Sequence, residues 1–282
     1  MNPLPVTVVI PVLNEELNLP VCLSSLGDAF AEIIVVDSGS TDRTGEIAAA
    51  AGAKILNFKW SGQFPKKRNW TLRNYDFQTP WVFFLDADER VTPEFIEELR
   101  RTLPDTPHAG FWISFTNWFM GRPLHHGDLF RKMALFRTGT GEYERFPENG
   151  WSALDMEVHE HPVLTGTIGT LNMRIEHHDF RSLEHYIKKH AEYATWEANR
   201  FCWLKTAGEK EWSLLTRRQR FKYRMADKPG LGLFYFCVSY FLKSGFLDGG
   251  AGLRFARLKW NYFNDIRAKI KKKTAQNPRA TV

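Results

Sequence analysis

The sequence contains few cysteines, and they are not spaced for a structural or metal-binding role. Cys22, Cys202 and Cys237 are the three cysteines of the 282-residue chain, and no two of them form a Cys-x-x-Cys pair. This pattern does not indicate a disulfide framework or a cysteine-based zinc site, and it favours a reducing, cytosolic environment. The first residues also lack a basic stretch followed by an apolar stretch, so we expect no secretory signal.

Membrane-spanning segments and the common phosphate-binding glycine motifs are missing as well. The almost wholly apolar run from Leu231 to Leu242 has twelve residues, whereas crossing a bilayer takes about 20. Neither GxxxxGK[ST] nor GxGxxG occurs, which excludes the P-loop and dinucleotide fingerprints. A phosphate would therefore have to be held by a metal ion and basic side chains. HExxH is also absent, because His159-Glu160 is followed by His-Pro-Val, and we expect no zinc site.

The net charge of +6 is distributed unevenly along the chain. Residues 205–282 contain 18 Lys and Arg against 5 Asp and Glu, whereas residues 1–204 contain 20 against 27. A mildly acidic body with a strongly basic tail indicates an anionic partner, such as a membrane, a nucleic acid or a phosphorylated lipid. No recognisable nucleic-acid reader motif accompanies the charge, so we do not expect nucleic acid to be the partner.

Apolar segments alternate with helical patterns through the first hundred residues. The predicted strands are Thr7–Leu13, Glu32–Asp37, Ala53–Phe58 and Trp81–Leu85, and the predicted helices are 17–26, 42–51, 64–74 and 93–103. This alternation is typical of βαβ units around a parallel sheet. We predict an α/β fold with a Rossmann-like, mostly parallel sheet and helices on both faces.

The pattern changes after the helix predicted at 93–103. Further strands are predicted at 110–117, 133–137 and 170–176, and a long helix at 181–206. We therefore predict one domain at 1–205, with two halves at 1–105 and 106–205. Residues 206–282 form a basic, aromatic-rich helical tail in this division.

Acidic residues follow three of the predicted strands. Glu15 comes just after the first strand, Asp37 ends the second, and Asp86 and Asp88 follow the fourth. Open α/β sheets bind ligands at this carboxyl edge, and clustered carboxylates favour Mg²⁺ or Mn²⁺. Each acid, considered alone, could equally be a solvated turn residue. Ser40 or Thr41 is expected to cap the helix predicted at 42–51.

These segments resemble the inverting family 2 glycosyltransferases. The resemblance is carried by VVIPVLNEE, IIVVDSGSTDRT and FFLDADE, which occur in the right order within residues 5–90. It implies the GT-A fold, a nucleotide-diphosphate sugar donor and a divalent metal. Residues 1–205 would then be the catalytic domain, with 1–105 as the nucleotide-sugar-binding half and 106–205 as the acceptor half. Four further segments are similar to the branch that glycosylates lipopolysaccharide core or related envelope glycans, namely Trp60–Gly62, Lys66–Asn69, Val158–Glu160 and Gly245–Gly249.

The resemblance also implies which residues bind the donor. Asp37 would accept a hydrogen bond from the uracil imide, Asp86 would face the ribose or the metal, and Asp88 would ligate the metal. Lys67 and Arg68, on a helix facing the same edge, would assist the phosphates, although a solvated helix face is the alternative. The complete predicted set for the nucleotide sugar is Pro11, Leu13, Glu15, Asp37, Ser38, Lys67, Arg68, Asp86 and Ala87, with Asp88 and Asp86 at the metal.

An inverting transfer needs a general base to take the proton of the acceptor hydroxyl, and a carboxylate suits this role. The candidates lie in the segment from Asp155 to His161. The His159-Glu160 pair of the related branch favours Glu160, with Asp155 and Glu157 as alternatives. Aromatic residues suited to an acceptor sugar groove are Trp112, Trp118, Phe119, Phe146 and Trp151, for each of which core packing is equally plausible.

The basic tail predicts contact with a membrane surface. Phe255, Leu258, Tyr262, Ile266 and Ile270 share one helical face, and basic residues surround it, as in helices that lie in a membrane interface. The alternative is that this face packs on the rest of the protein. The expected location is cytoplasmic, peripheral on the inner face of the cell membrane.

The leading hypothesis is therefore an inverting transferase that moves a sugar from a UDP-sugar to a lipid-linked, lipopolysaccharide or exopolysaccharide acceptor. A phosphohydrolase with Asp86 as nucleophile and Asp88 as acid/base is a second class. It is disfavoured because such enzymes usually carry the acid pair on their first strand. A non-catalytic, membrane-associated nucleotide-sugar-binding protein is a third class, and it is disfavoured because all three acidic motifs are present.

Overall fold

The computed structural model describes residues 2–128, 130–145, 154–157, 160–178 and 182–276. Contacts divide the chain into two units. The first contains Met1–Trp118 and Leu129–Phe180, and the second contains Phe119–Asp128 and Arg181–Val282. The first unit is an α/β layer structure and the second is almost entirely helical.

The first unit begins with the predicted βαβ pattern. Its elements, in chain order, are β1 (Leu4–Val12), α1 (Leu19–Leu26), β2 (Phe30–Asp37), α2 (Thr44–Ala50), β3 (Lys54–Asn57), α3 (Lys67–Asn74), β4 (Trp81–Phe84), β5 (Glu89–Arg90) and α4 (Pro93–Thr102). The strands after α4 are β6 (Gly110–Phe119), β7 (Arg122–Leu124, in the second unit), β8 (Arg131–Arg137), β9 (Gly141–Tyr143), β10 (Pro162–Leu164) and β11 (Ile168–His178).

The main sheet is mixed. Its strand order is β3-β2-β1-β4-β8-β6-β11-β5, and β9 pairs with β10 in a separate ribbon. Strands β3, β2, β1 and β4 are parallel, β8 runs antiparallel to both β4 and β6, and β11 is parallel to β6. Apolar side chains bury both faces of the parallel half, as continuous Val/Ile/Phe runs predict.

The register of the parallel strands brings their carboxyl ends together. Val12 pairs with Asp37, and Asp37 pairs with Asn57. The Leu85 amide donates to the Val9 carbonyl at 3.0 Å, which fixes where the chain leaves β4. The predicted α/β class is confirmed, and the loops after β1, β2 and β4 all leave from this edge.

Two local predictions need correction. Helix α2 begins at Thr44, and neither Ser40 nor Thr41 caps it. Asp42 instead accepts the Thr44 amide at 3.0 Å, while the Ser40 hydroxyl donates to Asp37 at 2.7 Å. The solvated-turn alternative for the acids after β4 is also wrong. Asp88 is 8% exposed and Glu89 1% exposed, because Glu89–Arg90 forms β5 and pairs with the end of β11.

The second unit consists mainly of helices. These are α5 (Leu183–Thr206), α6 (Gly208–Leu214), α7 (Arg217–Met225), α8 (Leu231–Cys237), a π-helical turn (Val238–Leu242), a 3-10 turn (Gly245–Asp248) and α9 (Gly249–Gln276). Tyr235 stacks on Phe263 at 4.1 Å between ring centroids, inside a core shared by α5, α7, α8 and α9. The domain boundary predicted at residue 205 remains a prediction, and α5 packs with the C-terminal helices.

Three of the five residues predicted for the apolar face of the tail helix pack in this second core. Ile266 and Ile270 of α9 are 3% and 1% exposed, and Tyr262 packs against the same core. Phe255 and Leu258 are partly buried. This face therefore packs within its own unit. Among the residues described, none of the helices combines the length and the apolar character needed to cross a bilayer.

Candidate active site

The loops after β1 and β2 are joined by hydrogen bonds. Asp37 Oδ1 accepts the amides of Gly39 at 3.1 Å and Ser40 at 2.9 Å. Gly39 has φ +92°, which its missing side chain permits. The Asn14 amide donates to Ser40 Oγ at 2.9 Å, and Asn14 Oδ1 accepts the Thr41 amide at 2.8 Å. The carboxylate of Asp37 is thus fixed at the strand end.

The residues predicted to border a nucleobase line the β1 side of the same edge. Pro11 is buried and pairs with Val36 of β2. Leu13 is 45% exposed, which leaves an apolar surface at the mouth of the edge. Glu15 Oε2 accepts the Asn18 side-chain amide at 2.8 Å, so this carboxylate holds the loop that leads into α1.

Three consecutive cations open α3, and each is buried against an acid. Lys66 Nζ lies 3.1 Å from Glu160 Oε1. Lys67 Nζ lies 3.2 Å from Asp155 Oδ2 and donates to the Val12 carbonyl at 2.9 Å. The solvated-face alternative is wrong here, because Lys67 is 3% exposed and Arg68 7% exposed. Burial lowers the pKa of Lys67, and the nearby Asp155 carboxylate opposes that shift.

Arg68 and Lys132 both bind Asp86. Arg68 Nη2 is 2.6 Å from Asp86 Oδ1, and Lys132 Nζ is 2.9 Å from Asp86 Oδ2. Burial alone would raise the pKa of Asp86, but Lys132 and Arg68 hold it well below its usual range. Lys132 also contacts Glu89 at 2.7 Å. Burial raises the pKa of Glu89 to about 7, with Lys132 opposing the shift and Asp86 adding to it.

Sequence reasoning missed Lys132. This residue lies on β8, which approaches the acids only because β8 runs antiparallel beside β4. No motif surrounds it, and a lysine before an apolar strand has no distinctive spacing. The available signal was chemical: a buried acid pair at a strand end requires a buried cation near it.

Asp88 has a different environment from Asp86. Its Oδ2 lies 3.4 Å from His177 Nε2, and its backbone carbonyl accepts the His178 amide at 2.6 Å. In the portion of the chain that the structure describes, no group of three or more His, Cys, Asp or Glu side chains is arranged to hold a metal. Mg²⁺ commonly uses only one or two protein carboxylates together with substrate phosphate. The Asp88 carboxylate thus lies beside a histidine, whereas both Asp86 oxygens bind cations.

The three candidate bases differ sharply in what they contact. Glu157 accepts the backbone amides of Arg68 at 2.9 Å and Asn69 at 3.1 Å, so it caps the first turn of α3. Asp155 accepts the Ser38 hydroxyl as well as binding Lys67. Glu160 is paired with the Lys66 ammonium. His159, which shares the predicted motif with Glu160, lies outside the described residues.

The aromatic candidates are only partly brought together. The Trp118 ring stacks on His178 at 4.7 Å, beside β5. Trp112 contacts His161 edge-on at 5.8 Å and lies under the Arg131 guanidinium. Phe119 falls in the second unit, and Phe146 and Trp151 lie outside the described residues.

Comparison with known proteins gives a family match and several relatives. Residues 7–153 match the family model described as Glycosyl transferase family 2. The lipopolysaccharide core biosynthesis glycosyltransferase LpsC of Rhizobium meliloti is 29% identical over 274 residues, which cover 90% of each protein. A TPR repeat-containing protein of Synechococcus elongatus is 42% identical over 105 residues. That match covers 37% of this chain and only 25% of the relative's length.

Among solved structures, S. aureus TarS residues 1–349 is 16% identical, with a TM-score of 0.44 and coverage of 96% of this chain and 92% of that one. A glucosyl-3-phosphoglycerate synthase from Mycobacterium tuberculosis, in complex with Mn²⁺, UDP and glucosyl-3-phosphoglycerate, is 26% identical. Its TM-score is 0.32, and the match covers 40% of this chain and 44% of that one.

Proposed function

This chain belongs to glycosyl transferase family 2 and is a glycosyltransferase with the GT-A fold, and from that premise we propose that it transfers a sugar from a UDP-sugar with inversion. The acceptor we propose is a lipid-linked or lipopolysaccharide-type glycan, at the inner face of the cell membrane. The observation that carries the proposal is the meeting of acids and cations at one sheet edge. The residues concerned are Asp37, Lys67, Arg68, Asp86 and Asp88.

The nucleoside would lie over the ends of β1 and β2. The carboxylate of Asp37, held by the Gly39 and Ser40 amides, is suited to accept the imide hydrogen of uracil. The exposed Leu13 side chain would cover one face of the base. Asp86, an ionised acceptor next to these loops, would accept from the ribose hydroxyls.

The diphosphate would bind beside the start of α3. Arg68 Nε is buried and has no hydrogen-bond acceptor among the described residues, which is the condition that a phosphate oxygen would relieve. Asp88 would hold Mg²⁺ or Mn²⁺. When bound, such an ion neutralises the negative charge that develops on the departing diphosphate.

Glu160 is the proposed base. It would take the proton of the acceptor hydroxyl while that oxygen attacks the anomeric carbon and UDP leaves. Glu157 is less suited, because both of its oxygens accept backbone amides of α3. Asp155 is less suited because Ser38 and Lys67 both bind it at the nucleotide side. Lys66, 3.1 Å from Glu160, would position the carboxylate.

The phosphohydrolase alternative is weakened by the contacts of Asp86. A nucleophilic carboxylate needs an accessible, electron-rich oxygen, whereas both Asp86 oxygens are bound by Arg68 and Lys132. The lipid-linked acceptor is supported by analogy with the relative LpsC, whose name refers to lipopolysaccharide core biosynthesis.

A thermal-shift screen of nucleotide sugars, with and without Mn²⁺, tests this assignment. We expect UDP and one UDP-sugar to raise the melting temperature, and Mn²⁺ to increase the shift. ADP-sugars and GDP-sugars serve as controls with different bases. The absence of a shift with every UDP compound would contradict the proposed donor.

A further inference from the structure

The second unit exposes an unusual row of large apolar side chains. Within one short segment, Leu242 is 80% exposed, Leu247 60% and Phe241 57%. We define the apolar ridge as the exposed members of this segment, namely Leu233, Phe234, Phe241, Leu242, Phe246 and Leu247. Scattered exposed apolar residues are ordinary, but a contiguous group marks an interaction surface.

Ring contacts connect two aromatic members of the ridge to their neighbours. The Tyr240 ring contacts Phe241 at 5.1 Å and Phe246 at 6.3 Å between centroids. Phe236 contacts Phe241 at 6.2 Å and Trp260 of α9 at 5.8 Å. The partly buried rings of Tyr240 and Phe236 therefore lie beside the exposed rings of the ridge.

Tight backbone packing fixes the turn that carries the ridge. A side chain at Gly252 of α9 would clash with the Gly245 carbonyl oxygen, and one at Gly245 would meet the Ser239 carbonyl oxygen at 2.7 Å. The Gly127 amide also donates to the Lys243 carbonyl at 2.8 Å. The apolar side chains are therefore presented by a well-supported turn.

The cations beside the ridge come from α7. Within the ridge segment Lys243 is ion-paired with Asp128, and Asp248 follows Leu247. Phe221 of α7 contacts Phe234 at 5.4 Å, and α7 exposes Arg217, Arg218 and Arg224. Arg218 is close enough to add to the lowering of the Lys243 pKa that burial causes.

We propose that the apolar ridge inserts into the interface of an anionic phospholipid bilayer, with the arginines of α7 on the headgroups. Apolar side chains rimmed by cations fit such a surface. A second copy fits poorly, because a symmetric contact would bring the same cations together. The surface that contacts the membrane is thus the apolar ridge, rather than the buried face of α9. The functional role of this contact rests on the proposed lipid-linked acceptor. The observations that support the contact itself do not depend on that acceptor.

Sedimentation of the full chain with extruded vesicles tests the ridge. One vesicle type contains phosphatidylcholine alone, and the other contains 30% phosphatidylglycerol. We expect binding to the anionic vesicles that weakens as NaCl rises. F241S/L242S should reduce binding about tenfold or more, and R217Q/R218Q should reduce it by a similar factor at low salt.

Two variants control for general effects. L183S/I187S removes two exposed apolar side chains from α5 of the same unit and should bind like the parent. L242F keeps the ridge apolar and should also retain binding. Unchanged vesicle binding by F241S/L242S would overturn the proposal. So would a parent dimer that F241S/L242S converts to a monomer, since a second copy would then cover the ridge.

The test separates this inference from the proposed function. Vesicle binding is measured without donor, and UDP binding is measured by calorimetry without vesicles. F241S/L242S should keep the UDP affinity of the parent within about twofold. If the parent did not bind UDP, the proposed donor would be contradicted. The vesicle measurement would still decide whether the ridge binds the bilayer.

Discussion

The two units of this chain differ in their most distinctive groups of side chains. In the first, cations and acids are buried together at the sheet edge, with Lys67, Arg68 and Glu89 all less than a tenth exposed. The second unit also buries charge, at Arg200, but what sets it apart is a group of exposed apolar side chains that includes Leu242. Buried charge and exposed apolar surface both cost stability. Their positions therefore indicate where each unit binds something.

The largest effect on activity is expected from removing the proposed base of the first unit. Glu160→Gln keeps the shape of the side chain but not its basicity, and we expect transfer to fall about 10³-fold. UDP affinity should stay within a few fold, because the proposed nucleotide site lies at the ends of β1 and β2. Glu142→Gln, at an exposed carboxylate of the same unit, is the matched control. Full activity in Glu160→Gln would exclude Glu160 and direct attention to Asp155.

A second test compares buried with exposed cations. Lys132→Met leaves Glu89 buried without its ammonium partner, and we expect a loss of about 3–5 kcal/mol in unfolding free energy. Lys269→Met in the second unit breaks a pair 3.6 Å long with partly exposed partners, and should cost less than about 0.5 kcal/mol. Denaturant unfolding measures both. Equal losses would contradict the distinction between the two regions.

A smaller effect is expected in the pH dependence of stability. The pKa of Glu89 is raised to about 7 from an ordinary value of 4.5. Between those values the folded state binds the extra proton, so this group makes the protein less stable as pH rises from about 4.5 to 7. Asp86 acts in the opposite sense, because its depressed pKa stabilises the fold above its ordinary value of 3.8 and that contribution is lost at lower pH.

Glu89→Gln isolates the first of these contributions. Relative to this variant, the parent should lose thermal stability between pH 5 and pH 7.5, and the difference should level off above that range. A parallel pH dependence in the two proteins would show that Glu89 does not titrate there. Melting curves at several pH values suffice for the comparison.

The sequence predicts the parallel half of the sheet well, because its strands are continuous apolar runs that end in acids. It also predicts three strands of the other half, at 110–117, 133–137 and 170–176, but not how they pair. Lys132 reaches Asp86 through the pairing of β8 with β4, a contact 46 residues away in sequence. The capping of α3 by Glu157 spans 89 residues. Neither contact can be predicted from the spacing of residues along the chain.

The tail shows a different limit. The periodicity of α9 correctly marks an apolar face, but a periodic face is the same whether protein or lipid covers it. Of the predicted face, Ile266 and Ile270 are core residues. The exposed side chains lie in the apolar run from Leu231 to Leu242 and in the turn after it. The length of this run excluded a membrane-spanning helix, but it did not indicate which of its side chains are exposed.

We propose that Asp88, at the carboxyl edge of the sheet, holds a divalent ion through which UDP binds. Calorimetry of UDP with the parent and with Asp88→Asn, each with and without Mn²⁺, tests this role of Asp88. We predict that Mn²⁺ tightens UDP binding to the parent at least tenfold and leaves the affinity of Asp88→Asn unchanged. Equal tightening in the two proteins would contradict the assignment of Asp88 to the metal.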